Sequence, residues 1–161
     1  MAGGSLSNHR PLVTDQQITL VRASWPDIAG RADTLTARFY DRLFEIDPTA
    51  AALFAGVDMT AQRGKLARSL AVVVHALDNP DTLLPALGAL GKRHTQYGVE
   101  HHHFDSVGSA LLAALEDTLG AAFTPELRDG WATAYALVAA VMRRALTRGE
   151  GAPAGAIAPN A

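Results

Sequence analysis

Residues 83–94 read "LLPALGALGKRH", and this stretch decides how the whole chain is interpreted. Leucines at positions 83, 87 and 90 recur with helical spacing, so His94 falls on the same apolar stripe of a helix. A buried imidazole must find hydrogen-bond or metal partners for two ring nitrogens, because an unpaired buried polar group costs free energy. The pattern alone leaves two interpretations open: a hydrogen-bonded core histidine, or a histidine that faces a bound group.

Composition places the chain among single-domain globular proteins. It has 161 residues, of which 48% are hydrophobic and 19% charged, enough for one domain with a proper core. A net charge of −2 gives no reason to expect nucleic acid or an anionic membrane as a partner. The sequence contains no cysteine, which excludes disulfides and thiolate ligands. No apolar run has the length of a signal peptide or membrane span, so we expect a soluble, cytoplasmic protein.

Hydrophobic spacing predicts an all-α fold of six or seven helices of unequal length, with no strands. Thr14, followed three residues later by a glutamine, is typical of a helix start, and Pro48 and Pro125 suit the first turns of two further helices. We expect a folded domain over residues 14–148, a flexible segment over 1–13 and a disordered Gly/Ala/Pro-rich tail over 149–161. The predicted helices cover about residues 14–30, 33–45, 48–54, 60–78, 80–97, 104–119 and 125–142.

Two more polar residues lie on or beside predicted apolar stripes. Gln62 precedes Leu66 by one helical turn, and Tyr40 lies at the edge of the second helix's apolar face. Each has a structural explanation: tyrosines at helix edges usually pack, and a glutamine can mark a slightly different helix rotation. A buried cofactor that needs a nitrogen ligand and hydrogen-bond donors would explain Tyr40, Gln62 and His94 together.

The chain resembles the bacterial globins over about residues 14–146, in particular the haem domains of flavohaemoglobins and single-domain haemoglobins. The segments that carry the resemblance are "FYDRLFEIDPTAAALF", "QRGKL", "DNPDTLLPALGALGKRHTQYGV" and "GWATAYALVAAVM". Their order is specific, as is the spacing of 22 residues from Tyr40 to Gln62 and 32 from Gln62 to His94. The resemblance implies a globin fold packed around haem b, iron protoporphyrin IX.

The resemblance also implies a role for individual residues. His94 matches the histidine that binds the haem iron, and we expect its second nitrogen to bond the carbonyl of Leu90, one turn earlier. Tyr40 and Gln62 match the residues that hydrogen-bond dioxygen. Lys65 either reaches a haem propionate or is a solvated helix lysine. The further residues expected to contact haem are Phe54, Leu66, Tyr97, Val99 and Phe104.

Two positions depart from the flavohaemoglobin pattern. Phe104 stands where many of those proteins have a tyrosine near the iron-binding histidine, and Leu146 stands where they have a glutamate. Both departures imply a less anionic imidazole, which argues against peroxidase-like chemistry. The sequence also shows no flavin or nicotinamide domain, so any turnover would need an external reductase.

Tight, reversible binding of dioxygen is the function that the resemblance implies first, for oxygen storage, delivery or scavenging. Carbon monoxide and nitric oxide are expected as further ligands. The alternative is a nitric oxide dioxygenase that uses an external reductase, with Tyr40 and Gln62 as its catalytic residues. A haem-based gas sensor is a third and weaker interpretation.

The stretch "EHHHFD" at residues 100–105 carries three adjacent histidines between two carboxylates. Such a cluster can bind a transition metal. Adjacent residues on a helix point in different directions, however, so a solvated helix start is the favoured interpretation.

Overall fold

The computed structural model describes residues 13–148, and these residues form seven α-helices without a strand. The predicted all-α fold is therefore confirmed within that range. The expectations for the two ends concern residues that, apart from Val13, lie outside the described part. In chain order the helices are α1 (Asp15–Ala29), α2 (Ala32–Ile46), α3 (Pro48–Ala52), α4 (Met59–Ala76), α5 (Pro80–Gln96), α6 (His101–Leu119) and α7 (Pro125–Arg148).

Several helix starts follow from the capping residues that the sequence supplies. Thr14 Oγ1 accepts from the backbone N–H of Gln17, whose side chain in turn accepts from the N–H of Thr14, both at 3.0 Å. Asp47 accepts from the N–H of Thr49 at 3.0 Å and so begins α3. Helix α4 begins one residue before the predicted start because Asp58 caps it.

The core lies where the long helices cross. Helix α2 packs against α6, α5 against α7, and α1 against α7. Side chains with at most 1% exposure include Val21, Ile28, Leu35, Leu87 and Leu115. The leucine stripe of residues 83–94 therefore faces the interior as predicted. None of the described helices has both the length and the apolar character that crossing a membrane requires.

Gly91 allows α5 to approach α7 closely. A Cβ atom at this position would lie 2.7 Å from the Cβ of Ala145 and 3.1 Å from the backbone of Met142. The first distance is shorter than real Cβ contacts and the second is tight, so a side chain here would push the two helices apart and glycine allows the crossing. His94 lies less than one helical turn further along α5, so this crossing determines the position of His94.

Candidate cofactor-binding site

A cavity of about 460 Å³ lies between α2, α4, α5, α6, α7 and the turn after α3. Its volume falls within the roughly 300–1,000 Å³ of small-molecule and cofactor sites. Most of its wall is apolar. All nine residues that the sequence assigned to a haem site line this one cavity: Tyr40, Phe54, Gln62, Lys65, Leu66, His94, Tyr97, Val99 and Phe104.

The ring of His94 is held by its own helix. Nδ1 lies 2.7 Å from the carbonyl oxygen of Leu90, which is the hydrogen bond expected from the sequence. Because a carbonyl only accepts, Nδ1 carries the proton and Nε2 keeps a lone pair. Burial lowers the pKa of His94, against the Leu90 hydrogen bond that raises it, and nearby Arg93 lowers it further. The neutral ring therefore offers Nε2 as a ligand, and no described residue bonds that atom.

The cavity wall around Phe104 is apolar. Phe104 is buried and packs with Ala139, Met142 and Leu146. The hydroxyl of Tyr135 lies nearby, but it donates to the backbone carbonyl of Phe104 at 2.7 Å. Positions 104 and 146 thus supply neither a hydroxyl nor a carboxylate to this wall.

Tyr40 and Gln62 meet inside the cavity although they come from different helices. Gln62 Nε2 donates to the phenol oxygen of Tyr40 at 3.2 Å. The hydroxyl proton of Tyr40 is not used in that bond and stays available to a molecule in the cavity. Burial raises the pKa of Tyr40, so the phenol is protonated at neutral pH. This pair is therefore a hydrogen-bond donor site.

Three phenylalanines hold the ring of Tyr40 in place. Ring centroids lie 4.9 Å away for Phe39, 5.4 Å for Phe54 and 5.9 Å for Phe44. The first two pairs are edge-to-face, a favourable aromatic geometry. Phe54 follows α3, so the position of that short helix also affects how the ring of Tyr40 is packed.

Cationic side chains lie along the open edge of the cavity. Arg68 and Arg93 are exposed and line the cavity together with the half-buried Lys65. An anionic group on a cofactor would find favourable charges at this edge. Lys65 lines the cavity, and its contact with a haem propionate stays a prediction.

Several lining residues were missed as site residues by the sequence analysis. Trp131, Tyr135, Val138 and Met142 of α7 line the cavity. The sequence predicts their helix, but a stripe that faces a cavity has the same sequence pattern as one that faces the core. His103 also lines the cavity and is only 5% exposed. The expected solvated helix start therefore holds for His101 and His102 and is wrong for His103.

The donor set fits haem. A neutral imidazole with a free lone pair, a protonated phenol, apolar walls and a cationic edge match the iron, a polar gas ligand, the porphyrin ring and the propionates. A metal bound by oxygen ligands is less well matched, because the described cavity lining contains no carboxylate.

A globin family model matches residues 37–142 of the chain. Among curated proteins, it is similar to the flavohemoproteins of Rhodopirellula baltica and Deinococcus radiodurans. Identity is 35% over 130 residues for the first and 34% over 135 for the second, covering 80% and 81% of this chain. These matches cover 32% and 33% of the relatives, so the chain spans about a third of their length.

A solved structure with the same fold is that of an engineered carbene transferase, a variant of a putative nitric oxide dioxygenase from Rhodothermus marinus. The TM-score is 0.78 at 28% identity, and the match covers 86% of this chain and 96% of the other.

Proposed function

The chain belongs to the globin family, and we propose that it binds haem b through His94 and holds dioxygen reversibly and tightly. Oxygen storage, delivery and scavenging are all served by this chemistry. The observation that carries the proposal is the shared cavity: the free Nε2 of His94 and the Tyr40–Gln62 pair line the same space.

Haem supplies a ferrous iron that binds diatomic gases reversibly. In this proposal His94 is its protein ligand, and the Leu90 carbonyl orients that ring. Phe54, Leu66 and Val99 provide apolar contacts, and Lys65 pairs with a propionate.

Tyr40 discriminates among gases in this proposal. Its phenol O–H would donate a hydrogen bond to dioxygen, which becomes partly negative on binding and is then a strong acceptor. A hydrogen bond to a charged group contributes about 1.5–3 kcal/mol, or roughly 10- to 150-fold in affinity. Carbon monoxide gains less negative charge, so Tyr40 stabilises it less. Slow release of dioxygen follows.

Absorption spectra of the ferric, ferrous and carbon-monoxide forms test the haem assignment, with His94→Ala beside the wild type. We expect an intense Soret band that shifts on reduction and again with carbon monoxide, and that is lost or altered in His94→Ala. His75→Ala is the matched control. Nδ1 of His75 also lies 2.7 Å from a carbonyl four residues earlier, that of Ala71, but His75 is exposed and does not line the cavity.

Two results would overturn the proposal. A wild-type protein without a Soret band after expression with ample haem would remove the function. A Soret band that is unchanged in His94→Ala, or altered equally in His75→Ala, would remove His94 as the ligand.

A nitric oxide dioxygenase is the second candidate, favoured by the protonated Tyr40 and by the similarity to the Rhodothermus marinus protein. Nitric oxide, dioxygen and one electron combine to nitrate, and an external reductase would supply the electron. Tyr40 and Gln62 would hold dioxygen for attack. Nitrate formed over many turnovers with a reductase and NADH would support this activity, whereas one nitrate per haem would leave only gas binding.

A further inference from the structure

The hydroxyl of Thr49, at the start of α3, is surrounded by three groups that can bind a metal. Its Oγ1 lies 3.1 Å from Nε2 of His102 and 3.2 Å from Nε2 of His103. It also donates to Oδ1 of Asp47 at 2.5 Å. Two elements distant in sequence, the α2–α3 junction and the first turn of α6, therefore bring two imidazoles and one carboxylate together.

We propose that Asp47, His102 and His103 form a second metal site, which binds a divalent transition metal ion such as Zn²⁺. One ligand atom from each of the three residues lies within 4.8 Å of the others. Asp47 and His103 are buried, while His102 is exposed and leaves the site open to solvent. Three protein ligands with a fourth, open position are typical of accessible zinc sites.

The ligand set determines the class of metal. Imidazole nitrogens suit zinc, copper and nickel, whereas magnesium and calcium require oxygen ligands. Only one of the three residues supplies oxygen. The site should therefore discriminate strongly against Mg²⁺.

Asp47 is already oriented as an anionic ligand. Its Oδ2 accepts from Ser106 Oγ at 2.7 Å, and its Oδ1 accepts from the backbone N–H of Thr49 at 3.0 Å. Supporting contacts of this kind orient ligands and strengthen metal binding.

Metal binding requires two local rearrangements. The backbone N–H of Glu100 donates to Nδ1 of His103 at 2.8 Å, so the neutral ring carries its proton on Nε2. Coordination through Nε2 moves that proton to Nδ1, and the Glu100 N–H loses its acceptor. Thr49 Oγ1 must rotate away, since ligand atoms around tetrahedral zinc lie only roughly 3.3 Å apart. The first rearrangement provides a specific signature of the bound ion.

Calorimetric titration of Zn²⁺ into the full-length, haem-loaded protein near neutral pH tests the site. We expect one zinc ion to bind with high affinity. In His102→Ala this affinity should fall at least about tenfold, since even supporting residues contribute 10- to 100-fold. His101→Ala is the control, because it removes an adjacent exposed histidine that is not part of the cluster. It should change the zinc affinity by less than about twofold. Millimolar Mg²⁺ should not compete.

Amide hydrogen exchange at Glu100 gives a second readout, which does not depend on the measured zinc affinity. Zinc should accelerate exchange at the Glu100 amide in the wild type and leave it unchanged in His102→Ala. Equal loss of affinity in the two alanine variants would mean scattered binding to surface histidines and would overturn the site. The absence of zinc binding, or an unchanged Glu100 amide in the zinc-bound protein, would overturn it as well.

Discussion

The two polar parts of the cavity are built in different ways. His94 takes its orientation from Leu90, one turn earlier in the same helix, at 2.7 Å. Tyr40 takes its partner from another helix, since Gln62 lies 22 residues away in sequence and 3.2 Å away in space. The His94 part is therefore oriented locally, whereas the Tyr40–Gln62 part depends on how α2 and α4 pack.

Tyr40→Phe should have the largest effect on gas binding. It removes the phenol proton and keeps the ring within its aromatic cluster. Dioxygen dissociation should accelerate by roughly 10- to 150-fold, as expected for a lost hydrogen bond to a charged acceptor. Stopped-flow replacement of dioxygen by carbon monoxide measures this rate.

Tyr97→Phe is the control for that experiment. Tyr97 lines the same cavity with its ring centroid 5.5 Å from that of His94, so the variant removes a hydroxyl from the other polar part. Dioxygen dissociation should stay close to the wild-type rate. Equal acceleration in both variants would mean that cavity polarity in general, rather than Tyr40, retains the gas.

Gly91→Ala should destabilise the protein by about 1–3 kcal/mol, because its methyl group would collide with α7. Gly88→Ala, on the same helix, meets nothing within 4 Å and should stabilise it by about 0.5–1 kcal/mol through helix propensity. Urea unfolding of both variants measures the difference. Equal free energies of unfolding would show that the α5–α7 crossing relaxes easily and does not hold His94.

Gln62→Leu should have the smallest effect, roughly a 2- to 10-fold faster dioxygen release, because a neutral hydrogen bond contributes about 0.5–1.5 kcal/mol. If Gln62 acts through Tyr40, this effect should vanish when Tyr40 is already phenylalanine. The double variant Tyr40→Phe/Gln62→Leu, measured by the same stopped-flow method, decides the point. An undiminished effect there would assign Gln62 its own contact with dioxygen.

Much of the fold could be predicted because its signals are local. The capping box at Thr14 and the stripe that carries His94 depend on residues three to four positions apart, and the structure has both. The Leu90 hydrogen bond was predictable for the same reason. The roles of the site residues came from the family resemblance, and they stay predictions until the spectra and dissociation rates are measured.

Other features depend on residues that the sequence does not place near each other. Nothing in "EHHHFD" indicates that Asp47 approaches His102 and His103, or that His103 is buried. The pattern also could not distinguish Gly91, which α7 contacts closely, from Gly88, which has open space. Both differences arise from a second element that packs against the first.

The sequence by itself determined which stretches form helices, that Thr14 caps the first of them, and that His94 lies on an inward-facing stripe with the Leu90 carbonyl one turn away. Backbone hydrogen bonds and side-chain spacing within one helix are sufficient for these features. Only the tertiary structure decided that Gln62 meets the hydroxyl of Tyr40 and that Asp47 joins two histidines. These contacts link separate helices, so their geometry depends on the packing of the whole core.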